Sequence, residues 1–311
     1  MFKGVNYVGI GVSDMDRSLK FYGDLLGFTE VMFDYTGFLP GMEKVTGKPK
    51  TKARVVMLKN KNMGPLGLGM IKLVHLLPPD KPEPLPADML WGDVGVSEVA
   101  FNTYGPADKF GEMMLKGCKP ILTPASIQPP PGSELVSGNF AYIADPDGGC
   151  VEFVDLGMCL NLRAKPMIEG VNHVGFGVSN IENSLKFYQE LGFTELFMDY
   201  TGYLHGMATL FPEPIKMRFV LMANYYGGLI ELVTYLPPNK SKDSRGSWGH
   251  RGPMEFGVGV SNLEKACEEL QKKGIRFLSP PQTIEVPSGQ WKYVYVVEPD
   301  NNYVSLIEPR Y

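Results

Sequence analysis

Two glutamates stand where a carboxylate is costly to keep. Glu231 lies inside Gly-Leu-Ile-Glu-Leu-Val and Glu152 inside Cys-Val-Glu-Phe-Val, apolar runs that read as buried strands. A carboxylate removed from water must be paired with a cation or bound to a metal. His173 opens a third such run, Asn-His-Val-Gly-Phe-Gly-Val, with Gly175 and Gly177 following on its own face. Glu255 is followed in the same way by Gly257 and Gly259. These side-chain-free positions are expected to leave room above the strand for a ligand. One imidazole among carboxylates suits one divalent metal ion: Mn, Mg, Fe(II), Ni or Zn. The plain alternative is structural, with Glu98 and Glu152 each paired to a Lys or Arg on a neighbouring strand.

The elements that carry these residues come from a duplication. The segment from Gly4 to Met42 returns from Gly170 to Met207 with one single-residue gap. Weaker agreement continues through ARVVML and MRFVLM, then GMIKLVHLLPP and GLIELVTYLPP. VSEVAFN pairs with PMEFGVG, and YIADPDGGCVEFVDL with YVVEPDNNYVSLIEP. A first domain over 1–157 and a second over 168–311 follow, joined by the stretch from Gly157 to Glu169 with Pro166.

Each copy halves again. From Asn6 to Val12 the residues Val8, Ile10 and Val12 point one way and Tyr7, Gly9 and Gly11 the other, the period of a strand. Ser13 or Asp14 then caps a helix with Met15, Leu19 and Tyr22 on one stripe, ended by Gly27. The script repeats from Glu98, from His173 and from Glu255, the last with an apolar stripe of Leu263, Ala266, Cys267 and Leu270. Pro146 and Pro299 mark turns before the closing strands.

Four βαβββ modules, Asn-His-Val-Gly opening a module, Ser-Leu-Lys-Phe-Tyr in its helix and Asp-Pro-Asp-Gly before Val-Glu-Phe resemble the vicinal-oxygen-chelate superfamily, which includes glyoxalases, bleomycin-resistance proteins and extradiol dioxygenases. The resemblance covers nearly the whole chain. It implies an α+β fold, with four βαβββ modules in two tandem glyoxalase-like domains forming curled mixed sheets. It also implies metal ligands on the first and last strand of each module. Those positions are Tyr7, Glu98, His173 and Glu255, then Lys72, Glu152, Glu231 and Ser305.

Which ligands meet depends on how modules pair. Pairing within each copy joins His173, Glu231, Glu255 and Ser305, and leaves Tyr7, Lys72, Glu98 and Glu152 together. In that case Glu255 replaces Glu98 and Glu152 as a ligand. Pairing across copies joins Glu98, Glu152, His173 and Glu231 in a full set, and closes the other site with a Lys72–Glu255 ion pair. The crossed arrangement explains the distribution of losses more simply, with one site intact and one dead, while pairing within each copy, the habit of ring-cleaving dioxygenases, stays open. By the same resemblance, the iron set of two histidines and a glutamate used by ring-cleaving dioxygenases would fall at His173, Glu255 and Ser305, where two of three residues are wrong. Lactoylglutathione chemistry would call for His or Gln at Glu98.

The superfamily's chemistry implies a metal-dependent lyase or isomerase that stabilises an enolate of a small oxygenated metabolite, aromatic ones included. Glu152 or Glu231 would move the proton, and His205, which replaces Pro40 of the other copy, is a further acid/base candidate. The alternatives are an iron-dependent dioxygenase with a variant site and a non-catalytic protein that sequesters a drug or antibiotic.

Bulk properties narrow the partners. The 311 residues are 44% hydrophobic and 21% charged, with a formal net charge of −4 and no Lys/Arg cluster. Nucleic acid and anionic membranes are poor partners for such a chain, and a small molecule is the expected one. Four cysteines without CxxC spacing, and no long apolar stretch, fit a reduced, cytoplasmic protein, monomeric or homodimeric. Arg54 and Arg218 are expected to pair with Asp34 and Asp199 rather than bind substrate. The repeated Tyr-Thr-Gly-(Phe/Tyr)-Leu at Tyr35 and Tyr200 is expected either to line a pocket or simply to close it.

Overall fold

The computed structural model describes residues 1–62, 69–127, 138–157, 167–237, 241–286 and 289–310, without the side chains of His205 and Arg310. The joining stretch lies mostly outside them. Four βαβββ modules follow one another. The first holds β1 (Phe2–Gly11), α1 (Met15–Leu19), β2 (Glu30–Phe38), a short α2 (Glu43–Thr46), β3 (Lys52–Lys59) and β4 (Met70–Leu76). The second holds β5 (Gly95–Tyr104), α3 (Pro106–Leu115), β6 (Lys119–Ile127), β7 (Gly138–Ala144) and β8 (Cys150–Asp155). The third holds β9 (Met167–Gly177), α4 (Ile181–Glu190), β10 (Phe193–Tyr203), a 3-10 turn (His205–Leu210), β11 (Lys216–Asn224) and β12 (Leu229–Tyr235). The fourth holds β13 (Gly252–Val260), α5 (Leu263–Lys272), β14 (Gln282–Val286), β15 (Gly289–Val297) and β16 (Tyr303–Arg310).

Local chemistry sets the helix starts. Asp14, Asn180 and Asn262 each accept a backbone N–H three residues on, and so cap α1, α4 and α5. The first helix contains the residue that the second copy lacks. Its chain continues past α1 as a π-turn over Lys20–Leu25, with Leu26 N donating to Phe21 O at 3.1 Å. The matching α4 is regular. One inserted residue is thus absorbed as a π-bulge rather than as a shifted strand.

Two eight-stranded mixed sheets form, in the orders β14-β15-β16-β13-β1-β4-β3-β2 and β10-β11-β12-β9-β5-β8-β7-β6. Each is centred on an antiparallel pair of first strands, β1 with β13 and β5 with β9. Modules therefore pair across the copies: one with four, and two with three. Side-chain alternation then divides each strand. Val8, Ile10, Val99, Phe101, Val174, Phe176, Phe256 and Val258 enter one core shared by both sheets and the helices. Tyr7 and Ala100, in the alternate phase, belong instead to two separate clusters in the concave faces.

The modules of one copy, though in different sheets, stay tied together. Asp147, in the turn marked by Pro146, accepts Ser13 N at 2.8 Å and the Arg17 guanidinium at 3.0 Å. Asp300, beside Pro299, accepts Ser179 N at 3.0 Å. Cys118, Cys150 and Cys267 are free thiols; Cys159 lies outside the described residues. Among the described residues no helix is long and apolar enough to cross a membrane.

Candidate metal centre

Four neighbouring strands, β12, β9, β5 and β8, bring four side chains to one spot at two adjacent register rows. In one row Glu231 and Glu98 both pair with Gly175, one from each side. In the next, His173 is flanked by Leu229 and Ala100, and Ala100 pairs with Glu152. His173 Nε2 lies 3.4 Å from Glu98 Oε1, 3.2 Å from Glu152 Oε2 and 3.3 Å from Glu231 Oε2. All four side chains are buried, none more than 6% exposed.

The donor set fits a divalent cation. His173 Nε2, Glu98 Oε1, Glu152 Oε2 and Glu231 Oε1 are buried with no hydrogen-bond partner, a costly arrangement for protein groups left to themselves. Glu98, Glu152 and His173 each offer one donor atom within 4.8 Å of the others. His173 Nδ1 lies 2.9 Å from Asn172 Oδ1, an acceptor for its proton, so Nε2 is the nitrogen turned toward the carboxylates and open to a cation that displaces any proton there. Electrostatics make the same point. Burial, and then the Glu98 charge, push Glu231 up to about 8, and the same two causes raise Glu152. Burial alone would lower His173, but contacts with Glu152, Glu231 and Glu98 outweigh it and hold the ring well above its ordinary value. A cation here would relieve all three perturbations.

The other sheet carries the same rows with different chemistry. Lys72 and Glu255 both pair with Gly9, and Tyr7 is followed across its row by Gly257 and Ser305. Lys72 Nζ closes an ion pair with Glu255, and Tyr7 OH is 2.7 Å from Ser305 Oγ. Tyr295 OH and Trp248 Nε1 also donate to Glu255. The ammonium takes the place a cation would have. Glu255 therefore does not join His173 as a ligand, because module four pairs with module one rather than with module three.

A family model described as Glyoxalase/Bleomycin resistance protein/Dioxygenase superfamily matches residues 4–153 and 170–306. The chain belongs to that superfamily. Among solved structures, glyoxalase I from Zea mays is similar at 18% identity and a TM-score of 0.58, over 98% of this chain and 92% of that one. A putative dioxygenase from Bacillus subtilis subsp. subtilis str. 168 is similar at 12% identity and a TM-score of 0.59, over 99% and 85%. At such identities the likeness is one of glyoxalase-superfamily fold.

The two cups of this glyoxalase-superfamily chain differ in the space they hold. Above the His173 cluster lies a cavity of ≈ 290 Å³, floored by Glu152, His173 and Glu231 and walled by Trp91, Phe140, Tyr142, Met198 and Phe219 among others. The Lys72 cup keeps only ≈ 70 Å³. Tyr200, Tyr203 and Leu204 of the repeated aromatic segment line the larger cavity, so that segment forms pocket wall. His205 begins the 3-10 turn whose Gly206 and Met207 also line it. Its own side chain lies outside the described ones.

Some sequence expectations change. Gly175 and Gly177 do not leave room for a ligand. A Cβ on Gly175 would meet Glu98 Cγ at 2.8 Å, and one on Gly177 would meet the Asp93 carbonyl oxygen at 1.9 Å. Gly9 and Gly257 likewise make way for Glu255 and Tyr7. The glycines seat the side chains and backbone of neighbouring segments. Arg54 and Arg218 do bond Asp34 and Asp199, at 2.8 and 2.7 Å. Sequence reasoning missed Trp91, whose Nε1 donates to Glu98 Oε2 at 2.6 Å. A signal existed: Trp-Gly-x-x-Gly-x-x-Glu occurs at Trp91 and again at Trp248. His75 and His250 take backbone partners, Val12 O and Arg251 O.

Proposed function

We propose that this protein is a metal-dependent lyase or isomerase whose single metal centre is His173, Glu98, Glu152 and Glu231. The observation that carries this reading is the convergence of four orphaned, buried donor atoms beneath an apolar cavity. When bound, a divalent cation supplies a Lewis acid for two neighbouring oxygens of a substrate. Glu98 is anchored by Trp91 and stays in place. Glu152 and Glu231 line the cavity, and each keeps one oxygen without a partner. Either can take a proton from the carbon beside a carbonyl and return it to the neighbouring atom. His205 stays a further acid/base candidate because Leu204 and Gly206, its neighbours in the chain, line the cavity. The apolar walls exclude water and so protect the carbanion-like intermediate from side reactions.

The walls also speak to the substrate. No Lys or Arg lines the cavity among the described residues, while three of its proposed ligands are carboxylates. An uncharged, oxygenated aromatic molecule suits these walls better than an anionic one. We take the protein to be cytoplasmic, with domains at 1–157 and 168–311 that exchange modules to build the sheets.

The test is solvent-deuterium exchange into 2-hydroxyacetophenone, a neutral aromatic probe with adjacent oxygens. Exchange at its CH2 that needs added Zn, Ni or Mn and vanishes in His173→Ala supports the reading. Metal-loaded protein that gives no exchange above buffer contradicts it. Oxygen uptake with Fe(II) and 4-ethylcatechol would favour the dioxygenase alternative. Tight binding of the probe by protein that takes up no metal would favour sequestration.

A further inference from the structure

His173 is not held by its neighbour alone. Its Nδ1–H donates to Asn172 Oδ1, Asn172 Nδ2 donates to Asn102 Oδ1 at 3.4 Å, and Asn102 Nδ2 donates to Glu169 Oε2 at 2.7 Å. All four residues are buried, and Glu169, the most exposed of them, is 8% accessible. The amides are oriented alike, each accepting from the His173 side and donating toward the carboxylate. Such a chain polarises each member and ends on a negative charge.

The other cup provides an internal control. The duplicated positions there hold Tyr7 for His173, Asn6 for Asn172, Gly259 for Asn102 and Lys3 for Glu169. A Cβ on Gly259 would lie 3.6 Å from Asn6 Cβ and 3.3 Å from Lys3 Cβ, so the three positions remain neighbours. Asn6 Oδ1 is left without a hydrogen-bond partner. Where the imidazole is gone the middle of the relay is gone, and its terminal carboxylate has become an ammonium. General structural support for the β5–β9 and β1–β13 pairs would be needed equally in both cups. The relay follows the imidazole instead.

We infer that Glu169, Asn102 and Asn172 form a carboxylate-terminated relay that fixes the orientation and protonated nitrogen of His173 and strengthens Nε2 as a donor. These are positioning residues: Asn172 bonds the imidazole directly, and Asn102 and Glu169 act on it only through Asn172. The inference rests on the reading of His173 as a metal ligand, but part of its test does not.

The test compares wild type with Glu169→Gln, Glu169→Ala and Asn102→Ala, using zinc alone as the probe. Zinc affinity is expected to fall by about 10-fold in Glu169→Ala and Asn102→Ala, with Glu169→Gln between them and wild type. A purely steric role would leave the isosteric Glu169→Gln at the wild-type value. In metal-free, 15N-histidine-labelled protein the His173 Nδ1–H is expected in slow exchange in wild type and in faster exchange in both alanine variants. Unchanged exchange and zinc affinity within 2-fold in all three folded variants would overturn the relay. If wild type binds no zinc, the metal-centre reading fails, while the exchange measurement still decides the relay.

Discussion

Lys72 and Glu231 hold the same row position in two sheets of one plan, each across a glycine from a buried glutamate. Lys72 neutralises Glu255 directly. Glu231 adds a second carboxylate beside Glu98 and so creates the demand for a cation. This reversal of charge accompanies the exchange of His173 for Tyr7 and of Glu152 for Ser305 between the two cups.

Removing the ammonium should therefore cost stability without touching metal binding. Lys72→Ala leaves Glu255 buried without its cation and is expected to destabilise the fold by roughly 3–5 kcal/mol. Lys72→Met with Glu255→Gln should recover most of that loss, because no buried charge remains. Urea unfolding reads both, and zinc affinity should stay at the wild-type value. A neutral Lys72→Ala would mean that the ion pair is not what closes this cup.

Gly175 is expected to be intolerant for a reason specific to the site. Its added Cβ would meet Glu98 Cγ at 2.8 Å and Oε1 at 2.9 Å, so Glu98 must shift. Gly175→Ala should weaken zinc binding by about 10-fold, with a stability loss of about 1–3 kcal/mol. Calorimetric titration with zinc separates the two effects. Retained affinity would show that Glu98 is not held where the metal needs it.

A pH dependence is expected from the turn that carries Glu298. Burial pushes this carboxyl up from 4.5 to about 7, against the backbone N–H of Asn302, which lowers it. The folded state binds this proton more tightly than the unfolded chain does. Its stabilising contribution is therefore complete below pH 4.5 and is lost as pH rises to about 7. The loss is about 3 kcal/mol. Glu298→Gln should flatten that part of the stability profile, measured by urea midpoints from pH 4 to 8. Identical slopes in both proteins would sink the assignment.

The cavity predicts a separation of substrate from metal. Met207 lines it without belonging to the proposed ligand set. Met207→Trp should raise the KM for 2-hydroxyacetophenone exchange by about 10-fold or more, and leave zinc affinity within about 2-fold. An unchanged KM would place the probe elsewhere.

Much of the site was legible because its residues break the pattern around them. Glu152 and Glu231 interrupt apolar strands, and Tyr7 and Lys72 stand where the other copy has His173 and Glu231. The fold was legible through the fourfold order of strand, helix and turn. Module pairing was legible only through the ligand sets, which favoured crossing, since Val8, Val99, Val174 and Phe256 present equivalent apolar faces to the shared core. Choice among such faces is tertiary, and periodicity carries no trace of it. The glycines were misread for a related reason. Gly175 announces a missing Cβ but not which neighbour uses the space, and Glu98 arrives from another module. The relay to Glu169 was hidden likewise, because its members meet only once β5 lies beside β9.

The chain is expected to hold one working metal centre, built across its two copies, although it has two cups. Equilibrium dialysis against zinc, with metal and protein quantified together, addresses it directly. One zinc per chain is expected for wild type, and affinity at least about 100-fold weaker for His173→Ala, with Tyr7→Phe unaffected. Two zinc ions per chain, none, or one that survives His173→Ala would contradict it.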